Sequence, residues 1–246
     1  MPHRHVFAAI VLLSVLAARG LAEDRYYGNG RPLPPGVEAQ ALDARTLEQW
    51  IRAAQKSRTL GNRLDAIKAL EGIAQHIIGS PAEEKKALAD ALLSCAKNDE
   101  SPRIRKSAIE ALYPPAGDHS TYTHVAGANG GFYSATLIES THFAPLSDIL
   151  KKDADDDVRT RAAVALGYLG DEAIPPLKVL ILSKDKLTKS RDIGIRHDLK
   201  AACIDAIGQI GTPLGAETLN AMRPKVDDKH QSRIDKMLDW IDSREP

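Results

Sequence analysis

Apolar residues return along this chain at helical spacing. Val158, Ala162, Ala165, Leu166 and Leu169 stand at offsets 0, 4, 7, 8 and 11 of one segment, which gathers them on one face of an α-helix. The same offsets pick out Ile104, Ala108, Ala111, Leu112 and Pro115, then Leu199, Cys203, Ala206, Ile207 and Ile210, and more weakly Asn62, Ala66, Ala69, Leu70 and Ile73. A basic residue follows the first position of every copy: Arg63, Arg105, Arg159 and Lys200. Ahead of each copy lies a second amphipathic segment, carrying in turn Leu47, Trp50, Ile51 and Ala54; Leu88, Leu92 and Cys95; Phe143, Leu146 and Leu150; and the run IPPLKVLI. With TPLGAETLNAM and KHQSRIDKMLDWI at the C-terminus, the pattern predicts about five helical hairpins. One hairpin cannot bury both of its apolar stripes, so a period of this length predicts a stack with a continuous core.

The stretch DDDVRTRAAVALGYLGDEAIPPLKVLI, residues 155–181, carries the boundary signals of one unit. Asp156 or Asp157 suits an N-cap, and Gly170 suits the backbone that ends a helix. Asp171 or Glu172 opens the next helix, with Pro175 and Pro176 in its first turn, where a missing N–H costs least. The stretch resembles a HEAT repeat, in the variant named for phycobilisome lyases, through its acidic start, Val-Arg pair, Ala-Ala-x-Ala-Leu-Gly core and Gly-Asp turn. The likeness is good again over RDIGIRHDLKAACIDAIGQIGTP at 191–213, fair at 99–112 and faint at both ends. It implies an all-α fold, a right-handed α-solenoid of about five hairpins over residues 43–246, whose second helices line a concave face that takes a protein or peptide. The second copy departs from the family pattern at Tyr113-Pro114-Pro115, so that hairpin must turn differently.

Composition agrees with helix packing through small and aliphatic residues, 43% hydrophobic against only 4% aromatic. Thirty-three basic groups face 33 acidic ones, so no global field draws the chain to nucleic acid or an anionic membrane. The N-terminus, MPHRHVFAAIVLLSVLAARGLAED, has a basic start, an apolar run from Val6 to Ala18 and small residues at Gly20 and Ala22. That is the pattern of a secretory signal peptide covering residues 1–22, and the run is too short to span a bilayer. It places the mature chain in the periplasm or outside the cell, with a Gly/Pro-rich tether at 23–42. Cys95 and Cys203 would meet an oxidising compartment there, but the register puts them on hairpins too far apart for a disulfide and predicts two buried thiols.

The copies are spaced 42, 54 and 41 residues apart at Leu70, Leu112, Leu166 and Ile207. The extra length falls within residues 113–142, an insertion rich in Gly that gathers Tyr113, Tyr122, Phe132, Tyr133 and three of the eight histidines. Insertions of this kind map to one face of a solenoid. Candidate partner-binding residues are therefore Tyr122, Phe132 and Tyr133 in the insertion, with Arg161, Tyr168, Asp205 and Gln209 on the second helices. By alignment the outward columns are Asp65, Ser107, Arg161 and Ala202, then Lys68, Glu110, Val164 and Asp205. Their mixed charge favours a protein or peptide over a polyanion.

Catalytic chemistry finds little support. His119 and His124 have an H-x4-H spacing, and His142 or Asp118 would add a ligand, which defines the alternative of an exported metal-binding accessory factor or enzyme centred on the insertion. Some HEAT-repeat enzymes hold a di-iron centre on His-Glu dipeptides, and this sequence has none. Ser120, Ser134 and Ser140 lack a Gly-x-Ser-x-Gly setting. The reading is a non-catalytic adaptor without a cofactor. The basic column Arg63, Arg105, Arg159 and Lys200 reads as structural, paired with acidic residues such as Asp99, Asp157 and Asp192. Expressed whole in a secreting host, the chain should lose residues 1–22 and begin at Glu23, as intact-mass measurement of the exported product will report.

Overall fold

In a computed structural model, the structure describes residues 47–76, 82–113, 137–183 and 198–243. They belong to one compact unit, Leu47–Pro246. Residues 1–22 and 23–42, which the sequence suggests are a signal peptide and a tether, lie outside the described residues. The unit is an all-α solenoid of ten helices: α1 Leu47–Lys56, α2 Leu60–His76, α3 Ala82–Asn98, α4 Pro102–Glu110, α5 Phe143–Lys152, α6 Asp156–Leu166, α7 Ile174–Ile181, α8 Leu199–Ile210, α9 Pro213–Met222 and α10 Asp228–Asp242. Among the described residues there is no strand, and no helix is long and apolar enough to cross a membrane.

Consecutive helices pair as five hairpins. The second helices α2, α4, α6, α8 and α10 pack on one another in order, each also against its own first helix. The repeated offsets are the core. Ile104, Ala108, Ala111 and Leu112 are fully buried, as are Val158, Ala162, Ala165 and Leu166, and Leu199, Cys203, Ala206 and Ile207 are within 1% of it. A fifth copy follows the same register on α10, where His230, Ile234, Met237, Leu238 and Ile241 occupy offsets 0, 4, 7, 8 and 11. Trp240, beside this stripe, is half-buried against the core.

The helix ends are built much as their sequences suggest, with one shift. Asp155, rather than Asp156 or Asp157, caps α6 by accepting from the N–H groups of Asp157 and Val158. The three-carboxylate run leaves the first of its members in extended backbone, and only that one can reach back to the free donors. Asp198 caps α8, Thr212 caps α9 and Asp227 caps α10 in the same way. Gly170 turns the chain with φ 81° before a short 3-10 turn at Asp171–Ala173, and Gly211 ends α8 with φ 69°. Pro175 and Pro176 sit in the first turn of α7.

Small residues set how closely the second helices approach. A Cβ added at Gly167 on the end of α6 would lie 3.2 Å from the Cα of Ala206 on α8, and one at Gly208 would lie 2.7 Å from Met237 Sδ on α10. Both glycines hold offset 9 and both face offset 7 of the next copy. In the second copy that position is Tyr113, so the junction between α4 and α6 holds a ring where the two later junctions have a glycine. Both cysteines are buried and unbridged. Burial pushes the Cys95 thiol up to about 11 and Cys203 higher still, so both stay protonated and unreactive at neutral pH.

The basic column is structural in every copy. Each of its side chains donates to a carbonyl at the end of its own hairpin's first helix: Arg63 to Ser57 at 3.1 Å, Arg105 to Asp99 at 3.0 Å, Arg159 to Leu150 at 2.9 Å and Lys200 to Ser183 at 2.7 Å. Gln231 does the same in the fifth copy, reaching Val226 at 3.0 Å. Cations suit these carbonyls, which carry the negative end of the helix dipole. Two of them also reach forward. Arg63 pairs with Asp99, and Arg105 grips Asp153 with two bonds of 2.7 Å. Arg159 pairs with Asp156 and not with Asp157, because Asp156 lies one turn earlier on the same side of α6. Asp192 lies outside the described residues.

Arg105 and Asp153 are 13% and 8% exposed, so removing one partner leaves the other charged and buried. Arg105→Leu should cost about 3 kcal/mol of stability, read from urea denaturation of the mature chain.

Candidate interaction surface

The exposed side of the second helices is shaped by contacts between copies. Glu110 of α4 accepts an ion pair from Arg161 of α6 at 2.7 Å. Asp205 of α8 is gripped by both arms of Arg233 on α10. The two pairs are equivalent, offset 6 of one copy to offset 3 of the next. At the intervening junction the same two positions are Val164 and Ala202, both uncharged. The column Asp65, Ser107, Arg161, Ala202 is therefore not uniformly outward. Asp65 is exposed and Ser107 half-buried, but Arg161 and Ala202 are each only 9% exposed, because the preceding second helix covers this position in the third and fourth copies.

Tyr113 and Tyr168 stack beside the Glu110–Arg161 pair, with ring centroids 5.5 Å apart and planes at 29°. Tyr113 is buried. Burial drives its hydroxyl far above the ordinary phenol range, against the pull of the nearby Arg161 guanidinium. Tyr168 is half-buried and continues into a row at offset 10 with Gln209 and Trp240, both also half-buried. Glu71 of α2 completes the polar side of the cluster. Its carboxyl is raised by burial and by the neighbouring Glu110 charge, with Lys68 opposing. The backbone N–H of Leu137 donates to Leu112 O at 2.9 Å, so the two ends of the insertion meet at its base, next to Tyr113.

Of the residues singled out in the sequence, Arg161, Tyr168, Asp205 and Gln209 fall along this face. Arg161 and Asp205 are held by partners within the stack. Tyr122, Phe132 and Tyr133 lie outside the described residues, as do His119, His124 and Asp118. His142 is buried. Its Nδ1 accepts from the backbone N–H of Glu139 at 3.0 Å, and desolvation lowers its pKa. Glu71 and Arg233 are not among the residues singled out in the sequence, which points to Trp240 only as an inward-packed residue of a C-terminal helix closing the stack. Following the core offsets one copy further, from His230 to Ile241, brings Arg233 and Trp240 into register.

A second concavity of about 320 Å³ opens between the first two hairpins, lined by Lys56, Ser57, Arg63, Ser94, Asp99 and Glu100 among others. Its charged groups belong to the Arg63–Asp99 contact already described.

Stacked helical hairpins with a repeated core, a side-chain donor on the carbonyl at each first-helix end and closely packed second helices define an α-solenoid repeat protein. The PBS lyase HEAT-like repeat matches residues 158–182, which run from the first core position of α6 through the Gly170 turn to the end of α7. That segment is a HEAT-like repeat of the PBS lyase type. Among solved structures it is similar to an engineered protein (20% identity, 80% of each chain, TM-score 0.43). It is also similar to a designed armadillo repeat protein in complex with the peptide (KR)4 (14% identity, 78% of this chain and 80% of that one, TM-score 0.44). A third likeness is to human deoxyhypusine hydroxylase in complex with glycerol (15% identity, 86% and 100%, TM-score 0.30). Comparison with curated protein sequences finds no match.

The raised pKa of Glu71 carries a sign that can be checked. A carboxyl raised in the folded state costs stability when ionised, and that cost disappears as pH falls through its folded value. Glu71→Gln should therefore raise the denaturation midpoint at neutral pH and leave it unchanged in acid, where Glu71 itself is neutral.

Proposed function

We propose that this α-solenoid protein is an exported, non-catalytic adaptor that binds a protein or peptide partner through the exposed face of its second helices and the 113–142 insertion. One observation carries the reading. The charges of the second-helix face are largely matched inside the stack, Glu110 with Arg161 and Asp205 with Arg233. Between them lie half-buried, uncharged side chains, the apolar Val164 and the row Tyr168, Gln209 and Trp240. A matched, weakly charged surface with half-buried aromatics suits a protein partner, which is recognised by shape and by aromatic anchors. It does not suit a polyanion, which needs unmatched cations. The apolar N-terminal run supports export, to the periplasm or the exterior. The insertion supports a recognition role because it is closed at its base by the Leu112–Leu137 hydrogen bond, which lets it vary without disturbing the stack.

The test is cross-linking in intact cells followed by mass spectrometry, with three chains: native, Tyr168→Ala with Gln209→Ala, and one with residues 114–136 replaced by a short Gly/Ser link. The replaced chain should keep its helical content, because the ends it joins already touch. A specific partner should appear with the native chain and fall by about tenfold with either altered chain, the scale of losing one aromatic anchor. Equal capture by all three, or no partner with any, rejects the adaptor reading.

A further inference from the structure

Helix α2 contains two glycines that its own packing does not call for. Gly61 and Gly72 both lie within the helix and neither takes a positive φ, so neither supplies a backbone conformation that other residues avoid. A Cβ added at either would meet nothing within 4 Å. Gly167 and Gly208 differ, because the next second helix lies against them. A glycine inside a helix weakens it relative to alanine, and within this chain nothing offsets that loss at Gly72.

The two glycines frame a pair of opposite charges. Gly61, Asp65, Lys68 and Gly72 stand at i, i+4, i+7 and i+11, which sets them on one stripe of α2 about 60° wide and roughly 16 Å long. Gly61, Asp65 and Lys68 are exposed, and Gly72 is half-buried. Among the described residues, neither the Asp65 nor the Lys68 side chain has an ion pair or a hydrogen bond. The other charges of this part of α2 are engaged elsewhere. Arg63 is buried in its contacts with Ser57 and Asp99, and Glu71 lies beside Glu110, which Arg161 holds from α6.

Later second helices do not repeat the stripe. The offset of Gly72 carries the large side chains Tyr168, Gln209 and Trp240. Arg161, Asp205 and Arg233, at the offsets of Asp65 or Lys68, are paired between copies. On α2 the same positions are small at the ends, charged in the middle and unpartnered.

The stripe is complementary to itself under a two-fold rotation. An antiparallel α2, placed by an axis level with the junction of Ala66 and Ile67, sets Gly61 against Gly72 of the partner subunit and Asp65 level with Lys68 of the partner subunit. A parallel copy would set like charge on like charge, which opposes docking. We propose that a second copy of this chain docks on this face, α2 against antiparallel α2, as a two-fold dimer. The glycines let the two backbones come close, as Gly167 and Ala206 do inside the stack. Two equivalent Asp65–Lys68 ion pairs close the centre, and the half-buried Leu64 and Ala69 flank it with apolar surface. One helix pair is a small interface, so the dimer belongs to the weak, reversible class. It does not rest on the adaptor reading, whose uncharged row starts on α6.

The test is sedimentation equilibrium of the mature chain from about 1 to 200 µM, the range in which a weak dimer exchanges with its monomer. We expect mass to rise toward the dimer with concentration. Gly72→Leu has room in the single chain, so it should keep the fold while holding the helices apart and weakening the dimer by more than about tenfold. Lys68→Asp should weaken it similarly, by gathering four carboxylates. Asp65→Lys combined with Lys68→Asp should restore it, because the two-fold keeps each exchanged pair opposite. Register is read by mild oxidation of a mixture of Gly61→Cys and Gly72→Cys chains, which should yield the mixed disulfide-linked dimer. Neither variant alone should do so, since equivalent glycines stand roughly 16 Å apart, and Cys95 and Cys203 are buried. A chain that stays monomeric throughout overturns the proposal, whether or not another protein covers this face in cells. So does a dimer that Gly72→Leu and Lys68→Asp leave unchanged, or a disulfide that forms as readily from one variant alone.

Discussion

No hairpin of this chain can hide its own apolar surface, and the architecture follows from that constraint. Each second helix offers a core face to its first helix and a flank to the second helix of the next copy. The flanks close because the residues on them are small: Ala206 lies where a side chain on Gly167 would strike its backbone, and Met237 fills the space over Gly208. The hydrophobic term does not choose a direction. The close approach does, because it aligns successive second helices at one register and brings equivalent offsets face to face.

That register lets polar contacts repeat. A cation one residue after the first core position meets the carbonyls at the end of the first helix, whether it is Arg63, Arg105, Arg159 or Lys200, and Gln231 replaces it in the last copy. In the first two copies the arginine also bridges to an aspartate in the next hairpin, so the cap of one unit becomes a strut to its neighbour. Two further ion pairs, Glu110–Arg161 and Asp205–Arg233, form on the exposed side at equivalent offsets. Charges that would otherwise give this face a sign hold copies together, and the half-buried side chains between them, Val164, Tyr168, Gln209 and Trp240, are uncharged.

The departures from the repeat gather at two junctions. Between the second and third hairpins, Tyr113 replaces the glycine of the later copies, stacks on Tyr168 and marks the entrance to the insertion, whose ends are joined by the Leu112–Leu137 hydrogen bond. Between the fourth and fifth, His230 replaces an aliphatic core residue and brings two capping aspartates together. The first brings aromatic rings to the exposed face, and the second sets an imidazole ring between carboxylates of two hairpins.

The sequence by itself determined the fold class and the register, because both rest on periodicity: the offsets 0, 4, 7, 8 and 11 are a property of one helix and need no neighbour to be seen. It also marked the helix ends, through Gly170, Thr212 and the aspartates, and the structural use of the basic column. Tertiary structure alone decided which outward residues are surface. Arg161 and Ala202 look exposed on a single helix and are covered by the helix before them, whereas Asp65, with no earlier copy over it among the described residues, stays open. It also decided which aspartate each arginine meets, and that His230 would stand between Asp198 and Asp227. Contacts between hairpins such as Arg105–Asp153, Asp198–His230 and Asp205–Arg233 join residues 28 to 48 positions apart, and their partners are fixed by how closely two helices pack, which depends on side-chain volumes at both surfaces and is invisible along either one.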